Sequence, residues 1–151
     1  ERGLRAGTPN TPYIVALGAA CALASETLGK EAIRQQALRE SLFKQLSAAI
    51  PGLVRHGDPN QTLPNTLSLR FPNCHGADVL AQAPQVAAST GSACHENARS
   101  ASATILAMGV DPVQAKGTVR LSLGRHSSAD KVTLAGIHLI RAWQTVQGGR
   151  T

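Results

Sequence analysis

Between Pro12 and the Pro51-Gly52 pair the sequence contains no proline, and its strongest interruption is a single weak point at Gly29. Thr11 is an acceptable N-cap with proline at the first helical position. Helical spacing runs through Ile14, Leu17, Cys21 and Ala24. A second stretch from Glu31 places Leu38, Leu42 and Leu46 on one face, with Arg34, Arg39 and Lys44 outside it. The spacing predicts one long or kinked helix from Pro12 to Ala49, stopped by Pro51-Gly52. Any fold for this chain must be built around that helix.

The remainder is cut into short pieces. Leu53 to His56 is a short apolar piece between turn residues, and in Thr66 to Phe71 Leu67 and Leu69 alternate with Ser68 and Arg70, as on a half-buried strand. A short helix is expected over 76–82 and a strand over 85–88. Another short helix, over 101–108, ends at Gly109 in the usual glycine C-cap position. Residues 118–123 alternate as a strand, and Ser127-Ser128-Ala129-Asp130 resembles a capping box opening a final helix. That helix carries Val132, Ala135, Leu139, Trp143 and Val146 at three- and four-residue steps. The order predicts an α+β fold, a mostly antiparallel sheet of about three or four strands with helices packed on one face. A length of 151 residues suits one domain spanning 1–151.

Composition removes several classes of function. At 42% hydrophobic and 16% charged residues the chain can form a core, so intrinsic disorder is excluded. The aromatics are only Tyr13, Phe43, Phe71 and Trp143, too few for a stacking platform on single-stranded nucleic acid. Fifteen Lys and Arg against nine Asp and Glu give a net charge of +6, but the basic residues are scattered singly and form no stripe for phosphate backbones. Neither nucleic acid nor membrane is expected as a partner, since the apolar stretch Tyr13 to Leu17 is short and runs into glycine and alanine. Three cysteines without a secretory segment point to a reducing compartment, and we expect a cytoplasmic protein. The turn-rich opening from Glu1 to Asn10, without an initiator methionine, reads as a cut end.

The segment Ser89-Thr90-Gly91-Ser92-Ala93-Cys94-His95-Glu96-Asn97-Ala98-Arg99-Ser100 has no period and consists of small and polar residues, a loop long enough to suspect of function. Cys94 is its candidate nucleophile: small neighbours leave the thiol accessible, and His95 and Arg99 supply positive potential that favours thiolate. Cys21 and Cys74 read as small buried hydrophobes. Two Cys-His pairs, Cys74-His75 and Cys94-His95, lack the spacing of a closed zinc site, so no metal is expected. His56, His126 and His138 show no partner pattern and read as surface or satisfied core residues. Arg120 projects from the polar side of the strand whose apolar side carries Val119, Leu121 and Leu123. A guanidinium on a rigid strand suits a two-bond grip on a carboxylate, although its position alone fits a surface arginine equally well.

These segments together resemble the C-terminal small domain of the NifS-like cysteine desulfurases and related selenocysteine lyases, within the class V aminotransferases. The resemblance rests on Arg5-Ala6-Gly7-Thr8-Pro9-Asn10-Thr11-Pro12 leading into the long helix and Leu63-Pro64-Asn65-Thr66 leading into a strand. It also rests on the Cys94 loop and the Arg120 strand. It implies a pyridoxal phosphate enzyme, homodimeric, that takes sulfur from L-cysteine, leaves L-alanine, and passes a persulfide to a sulfur-acceptor protein, as in iron–sulfur cluster assembly. By position, Cys94 would form the persulfide, Arg120 would bind the substrate carboxylate, and Thr8 would hold the cofactor phosphate across the dimer interface.

One requirement of that family is missing. The Schiff-base lysine should follow a histidine, and none of Lys30, Lys44, Lys116 and Lys131 does. The chain is therefore expected to be a fragment whose cofactor domain lies elsewhere, inactive alone and with no pyridoxal phosphate bound to it. The alternatives are a selenocysteine lyase parent, or a non-catalytic thiol carrier or interaction domain working alone.

Overall fold

A computed structural model describes residues 3–91 and 100–149. The long helix, α1 (Thr11–Ala49), is continuous. Its cap is Asn10 rather than Thr11: the Asn10 side chain accepts from the Tyr13 amide at 3.3 Å, leaving Pro12 in the first turn, where no donor is lost. Then come β1 (Val54–Arg55), β2 (Thr66–Arg70), α2 (Gly76–Ala81), α3 (Ala103–Ala107), α4 (Pro112–Ala115), β3 (Thr118–Ser122) and α5 (Ala129–Gly148). The three strands form one antiparallel sheet in the order β1-β2-β3.

Register explains the core. Leu67 pairs with Leu121 and Leu69 with Val119, so the apolar positions of β2 and β3 share one face. Against it lie Leu42 and Leu46 of α1 and Val132, Leu139 and Ala142 of α5, all buried. The two long helices approach closely where Gly136 leaves room for the Gln45 side chain, which donates to the Thr133 carbonyl at 3.1 Å. Arg34 fastens α1 to the turn after β3, donating to the carbonyls of Ser127, Gly124 and Arg125. Its guanidinium, with the Gln35 amide, holds the Glu31 carboxyl down at about 2.

Four expectations are corrected. Residues 85–88 form no strand: the chain turns there, with the Val86 amide bonded to the Ala83 carbonyl, and only Ser89 makes an isolated bridge, to Arg120. Val86 and Ala88 still pack on the core, which is why the segment looks strand-like in sequence. Arg39 is not outside the apolar face; it is 1% exposed and fully enclosed. Cys21 is exposed, because the turn of α1 that carries it has no neighbour among the described residues. Tyr13, Ile14, Val15 and Leu17 are likewise exposed, and burial on α1 begins at Arg39. Finally, α1 contains an 18-residue window of mean hydropathy 1.3, none of it buried, so by length and composition it could cross a membrane. Reading Tyr13 to Leu17 alone misses this, since alanines and Cys21 extend the apolar run along one unbroken helix.

Cys74 is buried, as expected for a small hydrophobe. The unanticipated α4 has a local cause: Asp111 accepts from the amides of Val113 and Gln114, and Pro112 takes the first helical position.

Candidate active site around Arg120

The sheet places four residues in one transverse row. The β1–β2 register continues to His56, whose amide donates to the Ser68 carbonyl at 2.9 Å. Ser68 is the direct partner of Arg120, and on the other side Arg120 exchanges two backbone bonds with Ser89, at 3.1 and 2.6 Å. The Arg120 backbone is therefore held from both sides, while its side chain stands exposed on the face opposite α1 and α5. It lines a cleft of about 260 Å³ with His56, Ser68, Thr90, Gly91 and Ser102, and Ile105 and Met108 give the cleft an apolar wall.

The Arg120 guanidinium has no hydrogen-bond or ion-pair partner among the described residues, and this sets it apart from its neighbours. Arg55 pairs with both Glu40 oxygens and lies over the Phe43 ring. Arg39 donates to Glu40, to the Pro59 and Leu63 carbonyls at 3.1 and 2.7 Å, and to the Thr62 hydroxyl at 3.1 Å. Arg70 donates to Gln114. No described carboxylate lines the Arg120 cleft. A charged, exposed fork on a fixed strand with no counter-ion among the described residues is well arranged to take a carboxylate from outside.

Two further residues, not singled out by sequence reasoning, shape this site. Thr62 lines the cleft, and its hydroxyl is fixed by buried Arg39. His56 is enclosed beside Thr118, its Nε2 sharing a hydrogen bond with Oγ1 at 3.2 Å. This is a satisfied core histidine, but it is also a wall of the cleft. Burial first, and then the nearby Arg70 charge, push its pKa below the ordinary 6.5. Below that ordinary value the unfolded chain takes up a proton that folded His56 resists. Stability is thus fullest above about pH 6.5 and falls as pH drops from there towards the lowered folded value. The variant His56→Gln should lose less stability than the parent chain between pH 7.5 and 5, measured by urea denaturation. Equal losses would refute a buried neutral His56.

Of the remaining candidates, Cys94 lies outside the described residues. The structure does bring both ends of its segment to the cleft, through Thr90 and Gly91 on one side and Ser102 on the other. The turn into it is set by Ser89, whose Oγ donates to the Gly91 carbonyl at 2.6 Å and accepts from the Gly91 amide at 3.2 Å. Thr8 is exposed, with its carbonyl held by Arg5 at 3.1 Å and Gly7 beside it at φ +85. From the start of α1 to Arg39 a helix rises about 40 Å, so Thr8 and the Arg120 cleft of the same chain are far apart. None of Lys30, Lys44, Lys116 and Lys131 lines the cleft. The described residues therefore do not by themselves fit pyridoxal phosphate, which needs a lysine beside the bound substrate.

The model of the aminotransferase class-V family matches residues 1–134. The cysteine desulfurase of Mus musculus is 33% identical over 159 residues, covering 99% of this chain and 35% of that protein. The cysteine desulfurase of Frankia sp. (strain EuIK1) is 40% identical over 147 residues, covering 94% and 34%. A solved NifS-like protein superposes with a TM-score of 0.79 at 29% identity, covering 95% of this chain and 36% of the other. The chain thus spans about a third of the length of the curated relatives it matches.

Proposed function

The chain belongs to the class V aminotransferase family, and on that premise we propose that it is the small-domain part of a pyridoxal phosphate-dependent cysteine desulfurase. The observation that carries this reading is Arg120: a guanidinium without a partner among the described residues, on a doubly held strand, at the cleft into which both ends of the Cys94 segment lead.

In this reading Arg120 binds the carboxylate of L-cysteine and orients it, while Thr90, Gly91 and Ser102 keep the ends of the Cys94 segment at the same cleft. The Cys94 thiolate accepts the substrate sulfur. The substrate Cβ–S bond breaks, an S–S bond forms at Cys94, and the substrate carbon takes up the proton the thiol gave up. L-Cysteine and a thiol thus become L-alanine and a persulfide, with no external oxidant or reductant. The cofactor and its lysine belong to residues outside this chain, and Thr8 reaches the cofactor phosphate from the second subunit of a homodimer. The exposed apolar part of α1 packs against the rest of the longer protein rather than a bilayer, and the persulfide passes to an acceptor protein in the cytoplasm.

Replacing Arg120 by alanine in the full-length enzyme should raise KM for L-cysteine by a factor corresponding to about 1.5–3 kcal/mol, the loss of a charge-assisted pair, with the folded state intact. An unchanged KM would reduce Arg120 to a surface residue and remove the main support for the reading.

A further inference from the structure

A second cleft, of about 310 Å³, lies where the turn after β2 meets the α4 segment, and it shares no lining residue with the Arg120 cleft. Arg70, Asn73, Cys74, His75, Gln114 and Lys116 line it. Arg70, Gln114 and Lys116 bring donors to it from separate backbone positions. Arg70 donates to the Gln114 side-chain oxygen, which leaves the Gln114 amide nitrogen as a further donor. Neither Arg70 nor Lys116 has a carboxylate partner among the described residues, and the lining includes no Asp or Glu. Asp111, the nearest acid in sequence to Gln114, is occupied in capping α4.

The walls are preformed. Asn73 adopts φ +53, the one non-glycine residue at positive φ among those described, a backbone state that persists only where the surroundings enforce it. Here α5 enforces it: Trp143 Nε1 and Gln147 Nε2 donate to the Pro72 carbonyl at 3.3 and 3.1 Å, and Gln147 also reaches the Asn73 carbonyl at 3.3 Å. On the opposite wall Gly117 sits against the Phe71 carbonyl too closely for any side chain, and the Gly76 amide donates to the Lys116 carbonyl at 2.9 Å. His75 Nδ1 is enclosed without a hydrogen-bond partner, an unusual state for a buried polar atom.

We propose that this cleft binds a small phosphate-bearing anion, held by the Arg70 guanidinium, the Lys116 ammonium and the Gln114 amide. Donors converging from three positions suit a tetrahedral oxyanion better than a planar carboxylate, and the volume accommodates a small ligand. The proposal does not depend on the desulfurase reading.

The test is titration of the 151-residue chain with inorganic phosphate at constant ionic strength, followed by amide NMR shifts. Saturable shifts confined to residues 70–75 and 113–117 are expected. Arg70→Gln and Lys116→Gln should each weaken binding at least fivefold, and Lys44→Gln on α1 should not. Lys116 is exposed, so its substitution leaves the fold in place even if that of Arg70 disturbs the sheet. Non-saturating shifts scattered over the basic surface would overturn the proposal, as would unchanged affinity in Lys116→Gln. Acetate binding as tightly as phosphate would overturn the assignment of a phosphate group.

Discussion

Arg39→Ala is expected to destabilise the folded chain by about 3–5 kcal/mol, since removing one member of a buried charged network leaves its partners unsatisfied. The guanidinium is enclosed on α1 and bonds Glu40, two carbonyls of the 59–63 segment and the Thr62 hydroxyl. Glu40 is 43% exposed and keeps Arg55, so it loses least. The Pro59 and Leu63 carbonyls lose a charged donor each. Arg39→Met, which keeps most of the volume, should cost about 2–3 kcal/mol, the part due to those bonds alone. Urea midpoints at unchanged m-value give the measurement. A loss below about 1 kcal/mol in both variants would mean that water replaces the guanidinium easily. Because Thr62 lines the Arg120 cleft, the same variants should also loosen that cleft.

Cys94→Ala in the full-length enzyme should abolish alanine formation from L-cysteine, a loss of about a hundredfold or more, while the visible absorbance of the cofactor remains. Retained turnover would assign the sulfur-accepting thiol to another cysteine. Thiol labelling of the chain is a weaker probe, because Cys21 is exposed on α1 and will react as well, whereas Cys74 is buried. The turnover measurement separates them.

How far the sequence speaks depends on the range of the interactions involved. Strands β2 and β3 are legible because Leu67, Leu69, Val119 and Leu121 alternate, and alternation is a local record of one buried face. The long helix is legible for the same local reason. Arg39 is not: by period it falls among charged, outward residues, and what internalises it is a set of carbonyls twenty or more positions away. His56 is missed for a related reason. The strand just before it is two residues long, too short for a pattern, and its place in the Arg120 row depends on register across β2. Residues 85–88 mislead in the other direction, since Val86 and Ala88 pack partly buried against the core without joining the ladder. At the candidate site, loop composition singles out Cys94 and strand parity singles out Arg120. That the described ends of the Cys94 segment reach the Arg120 cleft is a tertiary fact, visible through the bridge at Ser89.

That bridge also fixes a length. Cys94 is five residues beyond Ser89, and five residues of chain reach at most about 18 Å however they run. A thiol confined to that radius is present at an effective concentration of roughly 70 mM around the strand that carries Arg120. In the proposed reaction, a dissolved thiol would have to approach that level before it collected sulfur as often as the tethered one. On the same proposal that radius limits delivery, for an acceptor would have to bring its own thiol within this short leash of the sheet.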